Sequence, residues 1–137
     1  MERSPEIEEF AERYYQAARD GYGPAADAFI SQRAEVVVIG SDPDEWWDGP
    51  GYNAAMRAQA EAMGGSIPIH TGDLRAYREG SVGWIIDRPT FHFGDGNDAH
   101  ARVTAILHEE GGAWRIVHLH LSVGVANEEA LGQELPI

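Results

Sequence analysis

Trp114-Arg115-Ile116-Val117-His118-Leu119-His120-Leu121-Ser122 decides the reading of this chain. Side chains alternate between the two faces of a strand, so each parity forms one face. Val117, Leu119, Leu121, Val123 and Val125 share a parity that is aliphatic beyond Arg115. That set is expected to face helices, lining the core and the floor of any pocket. Trp114, Ile116, His118, His120, Ser122 and Gly124 share the other parity, a mixture of aromatic, polar and ionisable groups. Such a face suits contact with a second protein surface.

Working outward, three turn sequences, Glu79-Gly80, Gly94-Asp95-Gly96-Asn97-Asp98 and Glu110-Gly111-Gly112, divide the C-terminal half into four long strands near 66–78, 81–93, 99–109 and 113–125. Short connectors of this kind join antiparallel neighbours. In the third of these strands Ala101, Val103, Ala105 and Leu107 oppose Arg102, Thr104, Ile106 and His108, which repeats the division into two faces. Gly72 and Gly83 inside the first two long strands favour bending.

The N-terminal half reads as helical with one strand. Ser4-Pro5-Glu6 is a helix start, with a capping hydroxyl, proline at the first position and acid near the positive helix end. Ile7, Phe10, Ala11, Tyr14 and Ala18 then recur at helical spacing. Ala25 to Ile30 suits a short second helix, Glu35 to Ile39 a β-branched strand, and Asp48-Gly49-Pro50 opens a third helix that Gly64-Gly65 stops. Asn127 to Leu131 suits one further helical turn. Helices gathered on one face of a bent antiparallel sheet give an α+β fold, a cone whose mouth is a natural pocket. One domain over residues 1–137 is expected from the length.

Composition narrows the function. The net charge is −13, with 23 acidic residues against 10 basic ones, all of them Arg. Such a field opposes nucleic-acid backbones and anionic membranes. Without cysteine there is no disulfide, zinc-thiolate or thiol chemistry. No secretory signal or membrane-length apolar run is visible, so a cytoplasmic location is the expectation. Phosphate loops, dinucleotide fingerprints and nucleophile elbows are absent, and no cofactor is expected.

The segment from Trp114 to Ser122 resembles the final strand of the nuclear transport factor 2-like superfamily, in its SnoaL-like branch. Ile39-Gly40-Ser41-Asp42-Pro43 up to Trp47-Asp48-Gly49 is similar to that superfamily's turn into its third helix. The resemblance implies a strongly bent antiparallel sheet wrapped around an N-terminal helix pair and a third helix. It does not by itself imply an activity, since the fold carries isomerases, cyclases, dehydratases, binders and oligomerisation modules. Ketosteroid isomerases of this fold use a first-helix tyrosine as an oxyanion donor, a position that Tyr14 resembles; their two acids fall here near Ile39 or Gly40 and near Thr104 or Ala105, where none stands. In kinase association domains of this fold an arginine follows the second histidine; here Leu121 does.

Three groups of candidate residues follow. Trp46, Trp47, Tyr52 and Met56, with Trp84 and Ile86 from the second long strand, are expected to line an apolar ligand pocket; the alternative is that these aromatics plug the core. Tyr14, His70, Asp73 and Arg88 are the candidate proton-transfer groups of an enzyme, although His70 and Asp73 face opposite sides unless Gly72 carries a bulge. An alternative for Arg88 is a wet strand end, paired with Asp44 or Glu45. Asp87 is expected on the back face. Arg102, His108, Trp114, His118 and His120 are the candidate seam of a homodimer; the alternative is a solvated sheet face. An ordinary histidine changes charge near pH 6 to 7, roughly, so a dimer with histidines in its seam is expected to weaken on acidification. No metal site is expected, because no carboxylate completes the His118–His120 pattern.

Overall fold

A computed structural model describes residues 1–137. The first helix, α1, spans Pro5–Arg19. Ser4 caps it by accepting from the Ile7 amide at 3.2 Å, and Ile7, Phe10, Ala11, Tyr14, Tyr15 and Ala18 form its buried stripe. A 3-10 helix follows at Pro24–Phe29. Helix α2, Gly49–Ala62, is capped by the Asp48 carboxylate and buries Tyr52, Asn53 and Ala60. Helix α3 is the short Asn127–Leu131. No helix is long and apolar enough to cross a membrane.

The strands are β1 Glu2–Arg3, β2 Val37–Ile39, β3 Trp46–Trp47, β4 Ile69–His70, β5 Arg75–Glu79, β6 Val82–Asp87, β7 Thr90–His92, β8 Asp98–Glu110 and β9 Ala113–Val123. Their order is β1-β5-β6-β8-β9-β2-β3, with β4 and β7 forming a flap beside the first part of β8. All pairings are antiparallel except β2 with β9, which is parallel. The bent sheet wraps the helices as expected. Two of the four long strands are broken, however. The first divides at 71–74 and the second at Arg88-Pro89, because proline cannot donate into a ladder.

The last strand departs from simple alternation. Ile106 pairs with His118, but the next residue, Leu107, pairs with Ile116, so Val117 is an extra residue on β9. This β-bulge switches the parity. Before it, Trp114 and Ile116 face inward; after it, Leu119 and Leu121 do. Trp114 is therefore a core residue and not part of the outer face. It packs over Gly83 and beneath the Arg78 guanidinium, which lies 5.1 Å from its ring.

Strand β6 also has the reverse of the expected parity. Gly83, Ile85 and Asp87 face inward, opposite Leu107, Ala105 and Val103, while Trp84 and Ile86 lie on the outer face. Gly83 explains the choice. A Cβ there would stand 2.3 Å from Ile7 Cδ1, so the bare backbone lets α1 sit directly on the sheet. Asp87, expected on the back face, is 1% exposed and belongs to the core.

Candidate functional site

The mouth of the cone is formed where β2, β3 and α2 approach the β4–β7 flap. It opens into a cavity of about 260 Å³. Val38, Val103, Leu119 and Leu121 supply the sheet wall, Tyr14, Ala18 and Tyr22 the α1 wall, and Trp47, Tyr52 and Met56 the α2 side. Phe91 and Phe93 from the flap close it, their rings stacked 6.0 Å apart. Ser41, Glu45 and Gln59 bring polar groups to the lining.

A hydroxyl relay crosses the floor. Tyr52 Oη lies 2.5 Å from Tyr14 Oη, Tyr14 Oη lies 3.2 Å from Tyr22 Oη, and Tyr22 donates to Asn53 Oδ1 at 2.7 Å. A phenol has one proton. Tyr22 gives its proton to Asn53, so Tyr14 must donate to Tyr22, and Tyr52 to Tyr14. The relay runs one way, and Tyr52 ends it with lone pairs and no spare proton. Tyr22 reaches this place through a left-handed backbone, φ 54°, which is a costly conformation for a bulky residue. Arg57 holds that turn, donating from Nε to the Tyr22 carbonyl at 3.1 Å and pairing with Asp27 at 2.6 Å.

Burial pushes these phenols upward in pKa: Tyr14 well above its ordinary value, Tyr22 and Tyr15 likewise, and Tyr52 up to about 12. A phenol whose folded pKa is raised stabilises the fold fully below its unfolded value near 10, and that contribution is lost as pH rises through the folded pKa. A spectrophotometric titration should therefore leave these four of the five tyrosines un-ionised at about pH 10. Their ionisation is expected to coincide with alkaline unfolding. Smooth titration of the four near pH 10 with the fold intact would contradict the burial of these phenols.

Four of the ten residues proposed for pocket or catalysis line the cavity: Tyr14, Trp47, Tyr52 and Met56. Trp46 does not, because neighbours on β3 point to opposite sides, leaving it 68% exposed. Trp84 and Ile86 lie on the outer sheet face, for the reason given by Gly83. His70, Asp73 and Arg88 are exposed and apart from the cavity. His70 stands against His92, ring centroids 5.0 Å apart, and desolvation by these neighbours together with the charges of Arg19 and His92 lowers its pKa. Asp73 bonds to Arg75 at 2.8 Å, and that hydrogen bond holds its carboxyl below the usual range. The candidate Asp–His base is thus not assembled, nor does Arg88 pair with Asp44 or Glu45. Tyr22, Glu45, Phe91 and Phe93 were not anticipated in the pocket. Tyr22 carried a signal, being the aromatic set between Gly21 and Gly23 just past the end of α1.

The outer sheet face gathers Tyr77, Trp84, Ile106 and His118 into one cross-strand row. Ile86, Thr104 and His120 form the next. Arg102 lies on the same face, 3.2 Å from Ser122 Oγ, and His108 lies opposite Val82. His118 Nδ1 donates to the Val37 carbonyl at 2.7 Å, which ties the face to β2.

Helices inside a bent sheet, with an apolar cavity at the open end, define the class of cone-shaped α+β domains. The chain belongs to the SnoaL-like domain family, whose model matches residues 7–126. It is similar in fold to an NTF2-like protein of unknown function from Pseudomonas putida KT2440, with TM-score 0.80 and 20% identity over 95% of this chain and 91% of that one. A protein of unknown function with a cystatin-like fold from Nostoc punctiforme gives TM-score 0.71 and 14% identity, over 90% and 96%. A provisionally named dehydratase of the NTF2-like family from Streptomyces avermitilis gives 0.72 and 11%, over 88% and 94%. At such identities the likeness is one of fold. None of the curated proteins compared matches the chain.

Proposed function

We propose that this SnoaL-like domain binds a small apolar molecule in the cone cavity. The observation that carries the reading is the cavity itself, with 19 hydrophobic residues among its 23 lining residues. Its volume of about 260 Å³ leaves room for a small ligand. A core plugged by its own aromatics would leave no such space, so the cavity favours binding over a purely structural module. Proton-transfer catalysis has less support, because His70, Asp73 and Arg88 are outside and the proton of Tyr14 is committed to Tyr22. Titration calorimetry with 1-octanol tests the reading. The wild-type chain should bind one equivalent, and Leu121→Trp, which fills the cavity from its sheet wall, should weaken binding at least about tenfold. Equal affinity in the two proteins would overturn it.

A second reading concerns assembly, and one observation favours it. Val82, Ile86 and Ile106 are 41%, 44% and 39% exposed on one sheet face, beside the stacked pair Tyr77 and Trp84. We infer that a second copy covers this face, with Arg102, His108, His118 and His120 around the apolar rows. An isologous pairing would set each row against its counterpart. Ile106→Glu puts a carboxylate in the middle of the patch and should convert a dimer to monomer in sedimentation, with the thermal midpoint of the monomer fold retained. An unaltered dimer would exclude this face.

A further inference from the structure

The one charged side chain of the cavity is negative. Glu45 is the only carboxylate or cation in the lining; no Arg or His reaches it. Tyr52 ends the floor relay with lone pairs alone. Gln59 turns its amide nitrogen to Glu45 Oε2 at 3.1 Å. Ser41, whose hydroxyl can donate or accept, also lines the cavity.

Glu45 is also held in place. Its Oε1 accepts from the Asp42 amide at 2.9 Å, and Gly40 donates its amide to the Glu45 carbonyl at 2.9 Å. The carboxylate folds over Gly40 so closely that a Cβ at Gly40 would lie 2.8 Å from Oε1. The bare glycine therefore permits this placement. A carboxylate has about four lone-pair sites, of which the Asp42 amide and Gln59 take two, leaving capacity for a donor from the cavity. Trp47 and Tyr52, ring centroids 5.6 Å apart, add π-faces that attract a cation.

We propose that the cavity selects a lipophilic amine: an apolar body against the aromatic and aliphatic walls, and an ammonium bound by Glu45. The inference rests on the cavity-binding reading above and adds the charge of the ligand. An ammonium brings three donors and no acceptor to a site whose one charged group is an acceptor-only carboxylate. A carboxylate of the same length would meet acceptors and a like charge, within a chain of net charge −13.

Titration calorimetry of the full chain near neutral pH with n-octylamine, 1-octanol and octanoate separates the possibilities, because the three differ only in the head group. The amine should bind at least about tenfold more tightly than the alcohol, and octanoate more weakly than both. Glu45→Gln should bring the amine to within about twofold of the alcohol. Glu9→Gln, an equal change in net charge on the outer side of α1, should leave the ranking intact. Octanol binding as tightly as octylamine in the wild-type chain would overturn the amine inference and leave the cavity reading standing. Failure of all three probes to bind would overturn both. An amine preference that survives Glu45→Gln would also overturn the assignment, whatever the stability of that variant.

Discussion

Asp87→Ala should lower the midpoint of thermal unfolding by about 12 °C, equivalent to about 4 kcal/mol. The carboxyl sits in the core and accepts three hydrogen bonds. Tyr15 Oη donates to Oδ2 at 3.0 Å, and the amides of Gly72 and Arg88 donate to Oδ1 at 3.1 and 2.7 Å. Removing it strands three donors, each of which then bears roughly 1–3 kcal/mol of desolvation, reduced by any water that enters. These bonds join three segments: α1, the break between β4 and β5, and the break between β6 and β7. Asp87→Asn keeps an acceptor oxygen for the two amides, so about half the loss is expected. Calorimetric unfolding of both variants checks the ranking, and an Asp87→Ala midpoint within a few degrees of wild type would mean that the carboxyl does not join these segments.

Gly72→Ala should be nearly as damaging, at about 3 kcal/mol, the upper end for overpacking. An added Cβ would stand 1.9 Å from the Arg88 carbonyl oxygen and 2.9 Å from its carbon. Both are backbone atoms, so no rotamer change relieves the clash; the two chain breaks must move apart. That movement also lengthens the bond from Gly72 to Asp87. The two substitutions should therefore be less than additive, because each removes part of what the other needs. Chemical denaturation of both single variants and the double variant measures this. Full additivity would separate the glycine from the carboxylate corner.

The sequence made some of this legible, and the reasons for the rest are physical. Ser4-Pro5 and the Ile7–Ala18 stripe specify α1, because a cap and a helical repeat are local signals. The two faces of β8 were equally readable, since Ala101 to Leu107 alternate without interruption. Strand β9 was readable only after its bulge. An alternating pattern has no place for the extra residue Val117, and the inward position of Trp114 depends on a register set by its partner. Strand β6 misled for a different reason. Trp84 and Ile86 are the bulky residues, yet the small one, Gly83, faces inward because Ile7 already fills the space.

The cavity divides in the same way. Trp47, Tyr52 and Met56 cluster near one helix start and could be seen together, and Tyr14 follows from the α1 stripe. Leu119 and Leu121 belong to the aliphatic parity expected to form the pocket floor. Phe91 and Phe93 reach the mouth only because the strand breaks at Pro89 and its second half folds over as a flap. Glu45 reaches it because Gly40 leaves room. His70, Asp73 and Arg88 drew attention by residue type alone, and no sequence pattern placed them on the cavity side.

The central claim is that a small apolar molecule occupies the cone. Nuclear Overhauser contacts between 1-octanol and the methyl groups of the chain test it most directly. Cross-peaks from the octyl chain to Ala18, Met56, Leu119 and Leu121 are the predicted result. Contacts confined to Ile86 and Ile106 on the outer sheet face, or none at all at saturating octanol, would contradict it.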